Sequence, residues 1–103
     1  MFRSLPRPEK ARIIGRQALR SATSVAANYR AACRARSKSE FVAKMGLVVE
    51  EADETVFWIE LLVESGTVRP EQINLVLKEA NELLAIFAAS QRTAKLAVSS
   101  MNQ

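Results

Sequence analysis

The side chains here that could act on another molecule are arginines, carboxylates and one thiol. Of these, only the arginines are arranged to do so. Winding residues 9–35 as a helix, at about 100° per residue, puts Arg12, Arg16, Arg20, Arg30 and Arg34 within about 80° of one another. The segment that follows adds Arg36 and Lys38, and no Asp or Glu occurs between Lys10 and Ser39. Guanidinium groups bind phosphate bidentately, and several phosphate contacts together give nucleic-acid affinity that weakens with salt. Arg12, Arg16, Arg20, Arg30, Arg34, Arg36 and Lys38 are therefore the candidate nucleic-acid-binding residues, with RNA or DNA as partner. Two other readings stay open. The arginines could pair with an acidic seam of a neighbouring subunit, or they could be ordinary solvated surface.

Catalysis has little to work with. The sequence contains no histidine, so it offers no Ser–His or Cys–His nucleophile pair and no Glu-x-x-His metal motif. Cys33 falls on a face of small residues, where buried packing is expected rather than a reactive thiol. Glu50/Glu54 and Glu60/Glu64 are carboxylate pairs one helical turn apart that could hold a divalent ion. They lack a clear third ligand, so an acidic solvated or interface face is expected instead. No glycine-rich phosphate loop is present. The expectation is a protein that binds rather than catalyses, with no metal and no cofactor.

The charge is unevenly distributed. Residues 1–44 carry eleven Lys/Arg against Glu9 and Glu40, a balance of +9, whereas residues 45–103 carry four against nine acids, a balance of −5. Such a split points to an anionic partner for the first half or to self-association between unlike halves. At 103 residues, with 49% apolar and 25% charged side chains, one globular domain spanning 1–103 is expected. Three glycines and three prolines leave long stretches free to be helical. A single cysteine excludes an internal disulfide, and a reducing cytoplasm suits it best. Met1–Pro6 is too short and broken for a signal peptide, and no run of 18 apolar residues offers a membrane span.

The elements that must carry the arginines follow from periodicity. Helices are expected over about 8–35, 39–64 and 70–98. Pro8 suits a first turn, and Ser37-Lys-Ser-Glu40 has capping-box spacing. Gly66 suits a left-handed close, and Pro70-Glu71 opens the last helix. Short connections favour antiparallel neighbours, so the fold class is all-α, an up-down helical bundle. Opposite the arginines, the first helix has a dry face of Ala11, Ile14, Gly15, Ala18, Ala22, Val25, Tyr29, Ala32 and Cys33. Tyr29 is expected in the core with its hydroxyl bonded at the edge. Asn28 is expected to bond between helices or subunits, and Gly46 to permit a close helix approach.

The second helix has two apolar sides. One holds Phe41, Met45, Val48, Val49, Ala52, Val56, Ile59 and Val63; the other holds Ala43, Leu47, Phe57, Trp58 and Leu61, with Glu50, Asp53, Glu60 and Glu64 along a seam between. The third helix has one broad stripe: Ile73, Val76, Leu77, Ala80, Leu83, Leu84, Phe87 and Ala94. A helix in a three-helix unit needs a single apolar stripe. Leu47, Phe57, Trp58 and Leu61 are therefore expected to meet another helix or subunit, because leaving them wet forgoes several kcal/mol at roughly 1.5–3 kcal/mol per large side chain.

Longer strings carry a resemblance. Residues 20–41 (RSATSVAANYRAACRARSKSEF), Glu50–Leu62 (EEADETVFWIELL), Glu79–Phe87 (EANELLAIF) and the Thr93-Ala-Lys95 that follows resemble the bacterial four helix bundle protein family. That family is also called the ribosomal RNA intervening-sequence proteins, and the likeness covers about residues 5–95. Ala26 stands where the family pattern has glycine. The resemblance implies an antiparallel four-helix bundle assembling as a ring-like homopentamer. It also relates the chain to an accessory protein of diversity-generating retroelements, whose basic surface is implicated in binding nucleic acid and a reverse transcriptase. It carries over no catalytic residue, and of the basic positions only Arg20, Arg30, Arg34 and Arg36 lie within matching motif. The family pattern has a helix before its Leu-Pro turn, here Leu5-Pro6, so the first of four helices is expected to be missing, by a late start or truncation.

Overall fold

The computed structural model describes residues 6–66 and 68–101. Among them it contains three helices and no strand: α1 (Arg7–Cys33), α2 (Lys38–Glu64) and α3 (Pro70–Met101). The body measures 56 × 22 × 21 Å. None of these helices is long and apolar enough to cross a membrane.

Local chemistry accounts for the boundaries. A proline sits in the first turn of α1, where the missing N–H costs no hydrogen bond. Glu9 in the first turn and Arg30 in the last complement the helix dipole. The helix closes at Cys33, two residues before the expected Ala35, with the Arg34 N–H donating to the Ala31 carbonyl (3.1 Å) and Ala35 to Ala32 (3.0 Å). Ser37 then caps α2 as its spacing predicts, its Oγ accepting from the Glu40 N–H at 3.0 Å. At the far end Ser65 N–H donates to the Leu61 carbonyl at 2.9 Å, and Gly66 takes φ +72°, the left-handed conformation that glycine adopts without a Cβ clash. The Arg69 carbonyl receives the Gln72 and Ile73 amides at 3.1 and 3.3 Å at the start of α3. That helix runs on to Met101, past the expected end near Val98.

α2 is the shared neighbour. α1 and α3 both lie along it, and they scarcely touch one another. The seam with α1 is the tighter one. It encloses Ile14, Ser21 and Ala32 of α1, and the predicted inner side of α2 supplies Met45, Val48, Ala52, Val56 and Ile59. Val25, Phe41 and Phe87 close over the Ala32–Met45–Val48 centre. No residue of α3 is fully buried. Its predicted stripe is half-buried at Ile73, Leu77, Ala80, Leu84, Phe87 and Ala94, and exposed at Val76 and Leu83. Gly46 faces α3, and a Cβ there would stand 3.1 Å from the amide nitrogen at the end of the Gln91 side chain, so what the glycine makes room for is that side chain rather than a close approach of the helix backbones. Gln91 in turn donates to the Val42 carbonyl at 3.5 Å, tying the two helices.

Part of the predicted dry face of α1 is not dry. Ile14 and Ala32 are buried and Ala11, Gly15, Ala18 and Val25 half-buried, but Ala22, Tyr29 and Cys33 are exposed. The apolar arc of α1 is wider than one neighbour can cover. α2 takes its centre, and the flank bearing Tyr29 and Cys33 is left toward α3. Cys33 is thus a free, exposed thiol rather than a packed one. Tyr29 meets Phe87 of α3 with ring centroids 5.5 Å apart. The Cys33 thiol one turn on raises the Tyr29 phenol above its ordinary pKa. Among the described residues Asn28 makes no hydrogen bond to another helix; its Nδ2 donates to the Ser24 carbonyl one turn back, at 2.9 Å.

Candidate nucleic-acid interface

The arginine ridge stands on the side of α1 away from α2. Ile14, Ser21 and Ala32 fix that helix's inner side, and Arg12, Arg16, Arg20, Arg30 and Arg34 fall on the far side of the helical wheel, all exposed. Arg36 and Lys38, in and just after the turn, are exposed as well. All seven basic candidates therefore reach solvent; four of them share α1, and Arg34 is its C-cap residue.

Freedom of the charges matters as much as their placement. Arg12 forms an ion pair with Glu9 one turn earlier. The Arg20 Nε donates to Gln17 Oε1 at 3.1 Å. Among the described residues, Arg16, Arg30, Arg34, Arg36 and Lys38 make no ion pair. Surface pairs such as Arg12–Glu9 contribute little to stability, so a phosphate could displace that carboxylate at small cost. Between the two arginine groups the surface dips into a shallow depression of about 510 Å³ lined by Arg16, Leu19, Arg20, Thr23, Ser24 and Ala27.

Besides Glu9, a carboxylate of α2 lies near the ridge. Glu51 of α2 is half-buried, with Oε2 enclosed and unpartnered. Desolvation is the main reason its carboxyl titrates above the usual range, with the charge and hydrogen bond of Glu54 adding to it and the Arg20 guanidinium opposing. Among the described residues no three His, Cys, Asp or Glu side chains gather as a metal site requires.

The second predicted surface lies elsewhere. Leu47 and Phe57 of α2 are 43% and 54% exposed, and Trp58 and Leu61 half-buried. By the helical wheel they lie opposite the inner residues of α2. Phe57 and Trp58 meet edge to face, centroids 5.0 Å apart, and cover each other in part. Sequence reasoning missed a third surface, a groove of about 940 Å³ between α1 and α3. Its lining includes Cys33, Phe41, Ile86 and Ala94, with Arg36 and Lys38 from the turn. Ile86 is 57% exposed. The width of the α1 apolar arc was the available signal, since two helices in contact would not have needed Ala22, Tyr29 and Cys33 on it.

Comparison with other proteins agrees with this architecture. A family model described as 23S rRNA-intervening sequence protein matches residues 1–89. A solved structure from Bacteroides thetaiotaomicron VPI-5482, a protein of unknown function from the S23 ribosomal protein family, is 32% identical. It superposes with a TM-score of 0.72, over 77% of this chain and 73% of that one. No curated protein matches the sequence.

Proposed function

The chain belongs to the 23S rRNA-intervening sequence protein family, and from that premise we propose that it is a noncatalytic accessory protein that binds nucleic acid along α1. The observation that carries this reading is the ridge itself. Its arginines lie exposed on one side of a helix whose other side is packed, with no acid between Lys10 and Ser39 to neutralise them. A cytoplasmic location fits such a partner.

The same reading takes the three helices as three corners of a four-helix bundle. Two helices that share one neighbour and barely touch each other are arranged as such corners are, and the groove between α1 and α3 is then the open fourth. It also takes the protein as a homo-oligomer, a ring of five by family resemblance. The outer stripe of α2 supports a rotational, head-to-tail contact. Pairing stripe with stripe across a two-fold axis would bring Glu50, Glu54, Glu60 and Glu64 of both copies together, all exposed in α2.

That stripe also favours a second reading, a purely structural oligomer whose arginines pair with acidic seams of neighbouring copies. Titration onto labelled RNA and DNA at two salt concentrations separates the two. Nucleic-acid binding predicts steep weakening with salt, and its loss on Arg16→Glu plus Arg34→Glu while the assembly mass stays unchanged. If that double variant dissolves the assembly instead, the structural reading stands.

A further inference from the structure

Resting on the reading that the α1 ridge binds nucleic acid, we infer that its ligand is a duplex, gripped by the phosphates on both rims of one wide groove, and not an unpaired strand. Proteins that bind unpaired strands combine a continuous cationic track with aromatic rings on which bases stack. The ridge offers no such rings. Tyr29 is turned toward α3, where it meets Phe87 at 5.5 Å between centroids. Phe57 and Trp58 lie on the outer side of α2 and contact each other. What lies between the guanidinium groups is Leu19, Thr23, Ser24 and Ala27.

The track is also interrupted. Arg12, Arg16 and Arg20 follow on successive turns, about 6 Å apart at about 1.5 Å per residue. No cation occupies the next nine positions, so Arg30 lies about 15 Å beyond Arg20, followed by Arg34 and by Arg36 and Lys38 in the adjoining turn. From Arg12 to Arg34 the ridge runs about 33 Å, close to the roughly 34 Å of one duplex turn. Two cationic groups about 15 Å apart can each hold one rim of a groove about 12 Å wide, as in the major groove of B-form DNA. The wide, shallow minor groove of A-form RNA offers a similar span.

The interval between the clusters suits a groove that is bridged and not read. Its surface is a depression where Leu19, Thr23, Ser24 and Ala27 lie beside Arg16 and Arg20. The Thr23 hydroxyl donates to the Leu19 carbonyl at 2.7 Å, so its proton is committed within the helix. Leu19, Thr23, Ser24 and Ala27 carry no amide or guanidinium to form bidentate contacts to base edges, so binding across this interval should be independent of sequence.

The test is fluorescence anisotropy with the full chain on four probes: DNA and RNA duplexes of about 24 bp and unstructured single strands of the same length. Duplexes of about 8 bp, shorter than the roughly 10 bp of a turn, are run beside them. The expected result is at least tenfold tighter binding to a long duplex than to either single strand. The slope of log affinity against log salt should be about −5, for five or six phosphates at about 0.9 each. Shortening the duplex below one turn should cost tenfold or more. Arg30→Gln with Arg34→Gln should lower the slope by about 2 and abolish the dependence on length. Single strands bound as tightly as duplexes, or short duplexes bound as tightly as long ones, would overturn the inference and leave nucleic-acid binding standing. Binding to none of the probes would overturn both. The duplex bound more tightly names the source.

Discussion

Phe57→Ser tests whether the outer side of α2 is an interface. Phe57 is 54% exposed, and a phenylalanine removes about 150–250 Å² from water when fully covered, so about 100 Å² remains wet. At about 25 cal/mol per Å², covering that remainder in an assembly contributes about 2.5 kcal/mol per contact. Losing it weakens association roughly 60-fold. The intrachain cost is at least as large: the covered half of the ring is worth about 2 kcal/mol, and the edge contact with Trp58 about 0.5–1.5 kcal/mol more. Serine and phenylalanine have similar helix propensities, so α2 itself is little affected. Sedimentation velocity over a range of concentrations should show the variant dissociating at almost two orders of magnitude higher concentration than the parent chain. Its thermal melt, recorded where both are dissociated, should fall as well, so the mass-versus-concentration curve is the deciding measurement. If the mass-versus-concentration curves superimpose while the melts diverge, Phe57 acts within one chain and the outer stripe is not a subunit contact.

Two further substitutions probe the α1–α2 seam. Ser21 is fully buried and its Oγ has no hydrogen-bond partner, so Ser21→Ala should raise the urea midpoint by the equivalent of about 1 kcal/mol; a lower midpoint would mean the hydroxyl is satisfied in solution. Glu51 titrates above its ordinary range in the folded chain because it is desolvated beside Glu54, so the unfolded chain binds fewer protons and stability should rise as pH falls from neutral through the folded pKa toward about 4.5. Glu51→Gln should stabilise the protein at neutral pH and flatten that part of the profile, as chemical denaturation at a series of pH values would reveal; a variant with the parent's slope would assign the proton uptake to another group.

How far sequence carried depended on how many helices each feature involves. The Ser37 cap, the Gly66 close and the arginine ridge are each set within one helix or one turn, by hydrogen bonds and a 3.6-residue period. Sequence alone placed them correctly. The buried side of α2 was legible for the same reason, since Met45, Val48, Ala52, Val56 and Ile59 form one stripe against whatever packs there. Cys33 and Tyr29 were misplaced because a helical wheel gives the direction of a side chain and not the presence of a neighbour in that direction. The wheel joined them to Ile14 and Ala32 as one dry face. The position of α2 then divided that face, burying one part and leaving the other as the wall of a groove.

The same division explains why the ridge and the groove coexist on one helix. α1 has roughly three sides: one against α2, one carrying the arginines, and one looking toward α3. Beyond the first turn, an apolar arc wider than a single helix contact leaves the arginines of α1 the side farthest from every neighbour, because a guanidinium near either apolar flank would be desolvated without a partner. Packing by itself therefore accounts for much of the ridge's narrowness. A helix surrounded by fewer neighbours could have spread its arginines. This one gathers them into a line, and it is on that line that the proposed binding of a phosphate polymer rests.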